Sequence, residues 1–317
     1  MLTNIILFLL GVLILYLGAE WLVKGSVRMA RLLGITPLII GLTVVGFGTS
    51  SPELVVSMSA ALKKVDDIAL GNIIGSNIAN IGLVLGLSAL ISPLKINPDI
   101  LKRELPIMLL VSLVIYWMSL DLRISFIEGA FLFAGIICFN ALSYYSAKSG
   151  AGSAKITDIE SLKVEGTRKK QAFLIALGLA GIVGGAQLMV RSAIFVAREL
   201  GISELVIGLT VVALGTSLPE LAASMVAAFR KESDISIGNV IGSNIFNILM
   251  VIGIVAMISP LKVSSETLKL EFPVMIIFGL ALYPIMKTGL TISRIEGAIL
   301  TAGYLGFVGY LFGQIFS

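Results

Sequence analysis

The sequence predicts an all-α polytopic membrane protein of about ten transmembrane helices, arranged as two inverted five-helix repeats. Three observations lead to this fold class. Of the 317 residues, 57% are hydrophobic and only 13% are charged, against about 25% charged in an ordinary soluble domain. Apolar stretches long enough to cross a bilayer recur along the whole chain. The chain also matches itself when position 41 is aligned with position 208, a shift of 167 residues.

The predicted spans begin at the N-terminus and continue to the end of the chain. The first carries no positively charged segment before it and no small-residue cleavage site, so it is interpreted as a retained helix and not a signal peptide. Several stretches exceed the roughly 20 residues that cross the hydrocarbon layer, which indicates tilt or a break. The spans lie near 3–23, 36–62, 68–92, 105–120, 124–146, 172–190, 204–229, 235–259, 271–287 and 292–315.

A polar segment divides the chain into two halves. Residues 147–170 are rich in Ser, Gly, Lys and Glu and are interpreted as a linker between a first repeat, 1–146, and a second, 171–317. If the N-terminus is outside, 16 of the 23 Lys and Arg residues fall in the linker and the inward loops. The positive-inside tendency therefore predicts a cell-membrane protein with both termini extracellular and the linker cytoplasmic.

The internal repeat is strongest in two polar motifs. GLTVVGFGTSSPEL at 41–54 aligns with GLTVVALGTSLPEL at 208–221, and GNIIGSNIANI at 71–81 aligns with GNVIGSNIFNI at 238–248. Without a gap, 36 of the 56 positions from Ile40 to Lys95 are identical in the second copy. Because five helices is an odd number, the copies enter the membrane from opposite sides, as in the inverted repeats of secondary transporters. Polar identities favour a shared site over a merely duplicated scaffold.

Two carboxylates are the leading functional candidates. Glu53 and Glu220 lie deep in apolar segments, where a charged side chain costs about 2.5–3.5 kcal/mol on insertion scales. The next basic residues along these segments are Lys63 and Arg230, more than two helical turns on. A packing role in a local ion pair is therefore disfavoured, and a role in ion binding is favoured.

Hydroxyl groups and a proline accompany each glutamate. Thr49 and Ser50, like Thr216 and Ser217, precede the glutamate by four and three residues, which in a continuous helix places them on its face. Pro52 and Pro219 predict a helix break, because proline lacks a backbone donor and disfavours helix before it. The break should free carbonyls near Gly46 and Phe47 and near Ala213 and Leu214, which is tolerated at membrane depth where backbone lines a cavity.

The next span of each half adds amide oxygens. Asn80 and Asn247 each follow a serine four residues earlier on the same helical face, Ser76 and Ser243 respectively. Asn77 and Asn244 lie elsewhere on the helix and are predicted to cap or cross-link helices. The glycines at 71, 75, 238 and 242 are predicted to allow close helix packing.

All of these candidate ligands are hard oxygen donors. Calcium takes six to eight such oxygens in flexible geometry, and sodium accepts similar donors. The chain has one cysteine and no histidine, which disfavours zinc, copper and iron sites and Ser-His hydrolysis. Two negative charges suit one divalent ion or a few monovalent ions. Mutually exclusive occupancy of the carboxylate pair therefore predicts ion exchange, with no cofactor beyond the transported ions.

The motifs GTSSPE and GTSLPE, followed by GNIIGSNIAN and GNVIGSNIFN, strongly resemble those of the sodium/calcium exchanger branch of the calcium/cation antiporter superfamily. The resemblance covers the whole chain and is to prokaryotic members, since the linker is too short for a regulatory domain. It implies an ion site between spans 2, 3, 7 and 8, and alternating access by movement of spans 1 and 6. It further implies ligand roles for Glu53, Glu220 and the carbonyls of Thr49 and Thr216 in the calcium site, for Ser50, Ser76, Ser217, Ser243 and the carbonyls of Gly46 and Ala213 in the sodium sites, and for Asn80 and Asn247 at the centre.

Three alternatives remain at this point. Some family members, including potassium-dependent ones, carry Asp at the position of Asn247, so a potassium requirement is disfavoured and a calcium/proton antiporter comes closer. A cation channel would need no counter-ion and is disfavoured by the inverted repeat. An intramembrane enzyme is disfavoured because every Asp lies at a span end or in a loop. The expected partners are calcium, sodium and the lipid bilayer, with no nucleic acid, and the chain is expected to act as a monomer.

Overall fold

The computed structural model describes residues 1–148, 166–200 and 213–316. In these ranges nine helices are long and apolar enough to cross a membrane, and a tenth, shorter apolar helix lies between Leu218 and Phe229. Much of the predicted linker and the start of the span predicted at 204–229 lie outside the described residues. The helices are α1 (Leu2–Leu33), α2 (Pro37–Leu62), α3 (Asp66–Ile91), α4 (Ile100–Asp121), α5 (Phe126–Lys148), α6 (Arg168–Glu199), α7 (Leu218–Phe229), α8 (Ser233–Ile258), α9 (Thr267–Lys287) and α10 (Arg294–Phe316).

Helices α1 and α6 are longer than predicted. Each has 32 residues and a length of about 48 Å at 1.5 Å per residue, against predicted spans of 3–23 and 172–190. Hydropathy marks only the part that crosses the hydrocarbon. The helices continue through charged residues such as Lys24 and Arg198, whose charged ends can remain hydrated outside the hydrocarbon.

Glycines bring α1 and α6 into close contact. A methyl group added at Gly18 would lie 2.6 Å from the Ile182 nitrogen, and one added at Gly178 would lie 2.6 Å from the Leu22 nitrogen. Atoms at that distance overlap, so the two backbones can approach this closely only because neither residue has a side chain. The first helix of each half is thereby paired with its counterpart in the other half.

Two short antiparallel ribbons join the halves and show that they are inverted. Strand β1 (Leu94–Lys95), after α3, pairs with β4 (Thr291–Ile292), between α9 and α10. Strand β2 (Arg123–Ile124), between α4 and α5, pairs with β3 (Leu261–Lys262), after α8. The segments flanking α4 lie at its opposite ends. Strand β3 is the repeat counterpart of β1, yet it pairs with β2 at the other end of α4. Counterpart segments of the two halves therefore lie on opposite faces of the protein.

Helices α3 and α8 form the centre of the molecule and are the most buried of the described spans. Their neighbours carry apolar side chains on the outside, such as Ile127 of α5 and Ile295 of α10, as expected for surfaces in contact with lipid. Each central helix contains a π-helical segment that begins at a predicted site residue, at Asn80–Leu85 in α3 and Asn247–Ile252 in α8. Such segments are frequent at functional sites.

The predicted close packing at glycine is confirmed in the second half. A methyl group at Gly242 would lie 2.4 Å from the Leu42 carbonyl oxygen, and one at Gly238 would lie 2.8 Å from that of Leu38. By the 167-residue shift, the counterparts of Leu38 and Leu42 are positions 205 and 209, which lie outside the described residues. The same role for the glycines at 71 and 75 therefore stays a prediction.

Candidate functional site

Two broken helices carry the acidic residues of the site. Helix α2 is interrupted at Ser50, where φ is −78° and ψ is 1°, and α7 begins after Ser217, where φ is −85° and ψ is 0°. Pro52 and Pro219 sit in the first turn after each break, where the missing N–H is tolerated. The predicted breaks are confirmed. They place Glu53 and Glu220 in the first turn of a helix, an end that favours negative charge.

The two carboxyl groups are fully buried, one in each half, and serine hydroxyls link them. Ser76 Oγ donates to Glu53 Oε1 at 3.3 Å, and Ser50 Oγ donates to Glu220 Oε1 at 3.5 Å. Ser217 Oγ in turn donates to Ser76 Oγ at 3.3 Å. The second oxygen of each carboxylate, Oε2, is buried and receives no hydrogen bond from the described residues. An acceptor left in this condition is costly unless a cation binds there.

Four asparagines cross-link the central helices. The Nδ2 of Asn77 donates to the Asn244 carbonyl at 3.4 Å, and the Nδ2 of Asn244 donates to the Asn77 carbonyl at 3.3 Å. A carbonyl can only accept, so both side-chain orientations are fixed. Asn244 Oδ1 then accepts from Asn80 Nδ2, and Asn77 Oδ1 accepts from Asn247 Nδ2, both at 3.0 Å. The cross-linking role predicted for Asn77 and Asn244 is confirmed.

This orientation leaves an oxygen free on each remaining asparagine. The Nδ2 groups of Asn80 and Asn247 are used in these hydrogen bonds. Their Oδ1 atoms are buried and have no hydrogen-bond partner in the described part of the chain. Together with the two carboxylate Oε2 atoms, the centre holds four buried oxygens without a donor. They come in repeat-related pairs, two on carboxyl groups and two on amides.

The threonines before each break contact the opposite half. Thr49 Oγ1 donates to Asn239 Oδ1 at 3.0 Å and lies 3.2 Å from Ser243 Oγ. Thr216 Oγ1 donates to Asn72 Oδ1 at 3.2 Å. Asn72 and Asn239 were not among the residues predicted for the site. Their identity in the two copies of the G-N-x-x-G-S-N motif is the signal that could have found them.

Two details of the prediction are corrected. Spacing placed Thr49 and Ser50 on the face of Glu53, but that holds only for a continuous helix. Because α2 is broken at Ser50, their hydroxyls point to the second half instead. The Gly46 carbonyl is also not freed, since it accepts from the Ser50 nitrogen at 3.1 Å and from Ser243 Oγ at 3.4 Å. The carbonyl that loses a partner through the missing N–H at Pro52 is that of Gly48, four residues earlier, and not that of Gly46. Ala213 opens the described turn before α7, and its ligand role stays a prediction.

The donor set fits calcium and sodium. All four free oxygens are hard ligands of the kind that these ions take. Among the described residues no group of three or more His, Cys, Asp and Glu side chains comes together. The negative charge at the centre therefore rests on Glu53 and Glu220. One divalent cation neutralises that pair, and so do two monovalent cations.

Comparison with known proteins identifies a family and several relatives of this chain. The family model described as sodium/calcium exchanger protein matches residues 3–145 and 170–313. The chain is 39% identical to the putative antiporter CaxA of Alkalimonas amylolytica over 99% of this chain and all of that protein. It is 35% identical to the sodium/calcium exchanger MaX1 of Methanosarcina acetivorans over 98% of each. A structure of the sodium-calcium exchanger NCX_Mj, soaked with sodium and strontium, superposes with a TM-score of 0.84 at 36% identity, covering 96% of this chain and 97% of that one.

Proposed function

The chain belongs to the sodium/calcium exchanger protein family, and from that membership we propose that it exchanges sodium for calcium across the cell membrane by alternating access. The observation that carries the proposal is the set of four buried oxygens without donors, on Glu53, Glu220, Asn80 and Asn247. Carboxylate and amide oxygens without a donor are suited to bind a cation such as calcium. Their arrangement in repeat-related pairs suits a site that is opened to either side in turn.

Exchange follows from the charge at the centre. The two carboxylates are stabilised either by calcium or by sodium ions, and each set of ions excludes the other. The empty site would carry two buried charges without a counter-ion, which is costly in a low-dielectric interior. Movement between the two open states is therefore favoured when ions are bound, and that condition couples the two fluxes.

The relatives support this assignment by what they are named for. The Methanosarcina acetivorans protein is named a sodium/calcium exchanger, and the NCX_Mj study concerns extracellular ion exchange and binding-site occlusion. For the present chain we assign calcium to Glu53 and Glu220 with the Thr49 and Thr216 carbonyls. Sodium is assigned to sites that use Ser50, Ser76, Ser217, Ser243 and the carbonyl of Ala213.

Movement of the paired α1 and α6 against the core is the proposed route of alternating access. Both helices lie outside the four that build the site, and their glycine contact joins them to each other. We place both termini outside the cell and the segment 147–170 in the cytoplasm, with one chain as the transport unit, since residues from both halves of a single chain meet at the centre.

Calcium uptake by reconstituted protein tests the function. Liposomes loaded with sodium and diluted into sodium-free buffer should accumulate calcium-45, and Glu53→Gln or Glu220→Gln should abolish the uptake. Glu199→Gln is the matched control, because Glu199 is an exposed glutamate at the end of α6.

A second gradient separates this proposal from the main alternative. Burial can make a carboxylate a proton carrier, so a calcium/proton antiporter would use the same two glutamates. Uptake driven by a pH gradient without sodium would assign the chain to that activity. Calcium flux that needs no counter-ion would indicate a channel, and absence of calcium uptake under either gradient would reject calcium as the transported ion.

A further inference from the structure

Asn72 on α3 and Asn239 on α8 make the same three hydrogen bonds in the two halves. Asn72 Nδ2 donates to Ser57 Oγ at 3.0 Å and to the Glu53 carbonyl at 3.5 Å. Asn239 Nδ2 donates to Ser224 Oγ at 2.9 Å and to the Glu220 carbonyl at 3.2 Å. Each amide therefore holds the helix turn that carries the glutamate of its own half.

The other end of each amide reaches the opposite half. A main-chain carbonyl only accepts, so the contact with Glu220 requires Nδ2 of Asn239 to face it, and Oδ1 must face Thr49. Thr49 Oγ1 is then the donor, at 3.0 Å. The same reasoning makes Thr216 Oγ1 the donor to Asn72 Oδ1, at 3.2 Å. Each asparagine thus joins the glutamate of one half to the threonine of the other.

From this geometry we propose that Asn72 and Asn239 are positioning residues that fix the spacing between each glutamate and the threonine of the opposite half, and thereby favour calcium over sodium. The inference rests on the proposed function, in which calcium is held at once by Glu53, Glu220 and the carbonyls of Thr49 and Thr216. That ligand set spans both halves. If the spacing between glutamate and threonine becomes less fixed, calcium should lose more binding affinity than sodium, because calcium needs all four ligands at once and each sodium ion uses fewer.

The two amides are suited to this role because both are hydrogen-bonded to protein atoms and neither is needed as an ion ligand. Asn239 is fully buried, and all three of its hydrogen bonds go to protein atoms. Neither amide oxygen is among the buried atoms without a partner, in contrast to those of Asn80 and Asn247. Asn72 and Asn239 act through the residues that they hold.

Thr216→Val gives the sharpest test, because it removes the hydroxyl that donates to Asn72 and keeps both the shape and the backbone carbonyl. We would measure melting of the purified protein in detergent against increasing calcium chloride or sodium chloride. Loss of one hydrogen bond should raise the half-saturating calcium concentration by roughly three- to tenfold. The half-saturating sodium concentration should change by less than about twofold on the same basis. Thr216→Ser, which keeps the donor, should restore the calcium value.

Thr301→Val is the matched control, since among the described residues the Thr301 hydroxyl donates only to the Gly297 carbonyl within α10. Thr49→Val repeats the test through Asn239 if Thr216→Val does not fold. An unchanged half-saturating calcium concentration, or equal shifts of the half-saturating concentrations of both ions, would overturn the positioning role.

Sodium-driven calcium uptake by the wild type is measured in parallel. Calcium binding without that exchange overturns the proposed function alone, and the melting series then decides the positioning role. Absence of any calcium-dependent stabilisation in the wild type overturns both.

Discussion

At the scale of single residues, the chemistry of the centre depends on which atom of each asparagine is committed. Asn77 and Asn244 are fixed by each other's main-chain carbonyls, and they fix Asn247 and Asn80 in turn. The outcome is that two amide oxygens, like two carboxyl oxygens, have no hydrogen-bond partner among the described residues. Four residues of one amino-acid type therefore divide into two that orient and two that are available to an ion.

Asn247→Ala should weaken ion binding, because it removes one of the free amide oxygens. Contacts of a polar group with a charge contribute about 1.5–3 kcal/mol, which corresponds to roughly tenfold or more in the half-saturating ion concentration. The measurement is the sodium or calcium dependence of calcium-45 exchange in liposomes. Asn140→Ala is the control, since the side chain of Asn140 bonds, within the part of the chain that the structure describes, only to the Ile136 carbonyl of its own helix α5. Equal ion dependence in Asn247→Ala and wild type would mean that this oxygen does not contact the ions.

At the scale of the elements, breaks and close contacts decide what each helix can do. The interruptions at Ser50 and Ser217 turn two membrane helices into half-helices whose first turns face the centre. The contact between α1 and α6 is of the opposite kind, since glycine allows two long helices to pack along their backbones. Helices that form the site are thus irregular, and those proposed to move are continuous.

Gly18→Ala should destabilise the protein, because the added methyl group would overlap the backbone of α6 at Ile182. Overpacking of this kind costs about 1–3 kcal/mol and should lower the melting temperature measured in detergent. Gly306→Ala on α10 is the control, since no atom of the described residues lies within 4 Å of a methyl group there. A melting temperature for Gly18→Ala at or above that of the wild type would show that α1 and α6 can separate without cost.

At the scale of the whole molecule, the two halves are equivalent and opposed. The ribbons β1–β4 and β2–β3 are repeat-related and lie at the two ends of α4. One unit used twice in opposite orientations gives a central site with equivalent surroundings toward each side of the membrane. Asymmetry remains at the positions where the two copies differ, such as Gly46 against Ala213.

Lys95 and Lys262 test this inversion, because they are exposed counterparts in β1 and β3. In a Cys138→Ser background, which removes the single native cysteine, Lys95→Cys should react with an impermeant thiol reagent only from the cytoplasmic side. Lys262→Cys should react only from outside. Labelling of both from one side would contradict the inverted arrangement, and exchange of the two sides would reverse the proposed orientation alone.

The sequence by itself determined the fold class and the repeat, and it predicted most residues of the candidate site. Membrane helices and breaks are local properties, since apolar length and proline act within a few residues along the chain. Polar identity between the copies marked Glu53, Glu220, Asn80 and Asn247 without any knowledge of contacts. Hydropathy predicted ten spans, of which the described residues contain nine of spanning length and part of a tenth. It did not predict the ends of α1 and α6, because a helix can continue into water.

Only the tertiary structure decided which atoms face each other. The hydroxyls of Thr49 and Ser50 turn to the second half, and Asn72 and Asn239 link each glutamate to a threonine 163 residues (216 − 53) or 171 residues (220 − 49) away. No periodicity along one helix contains that information. Such contacts arise where four helices from two halves pack together, because a buried polar group must find its partner in space and not in sequence.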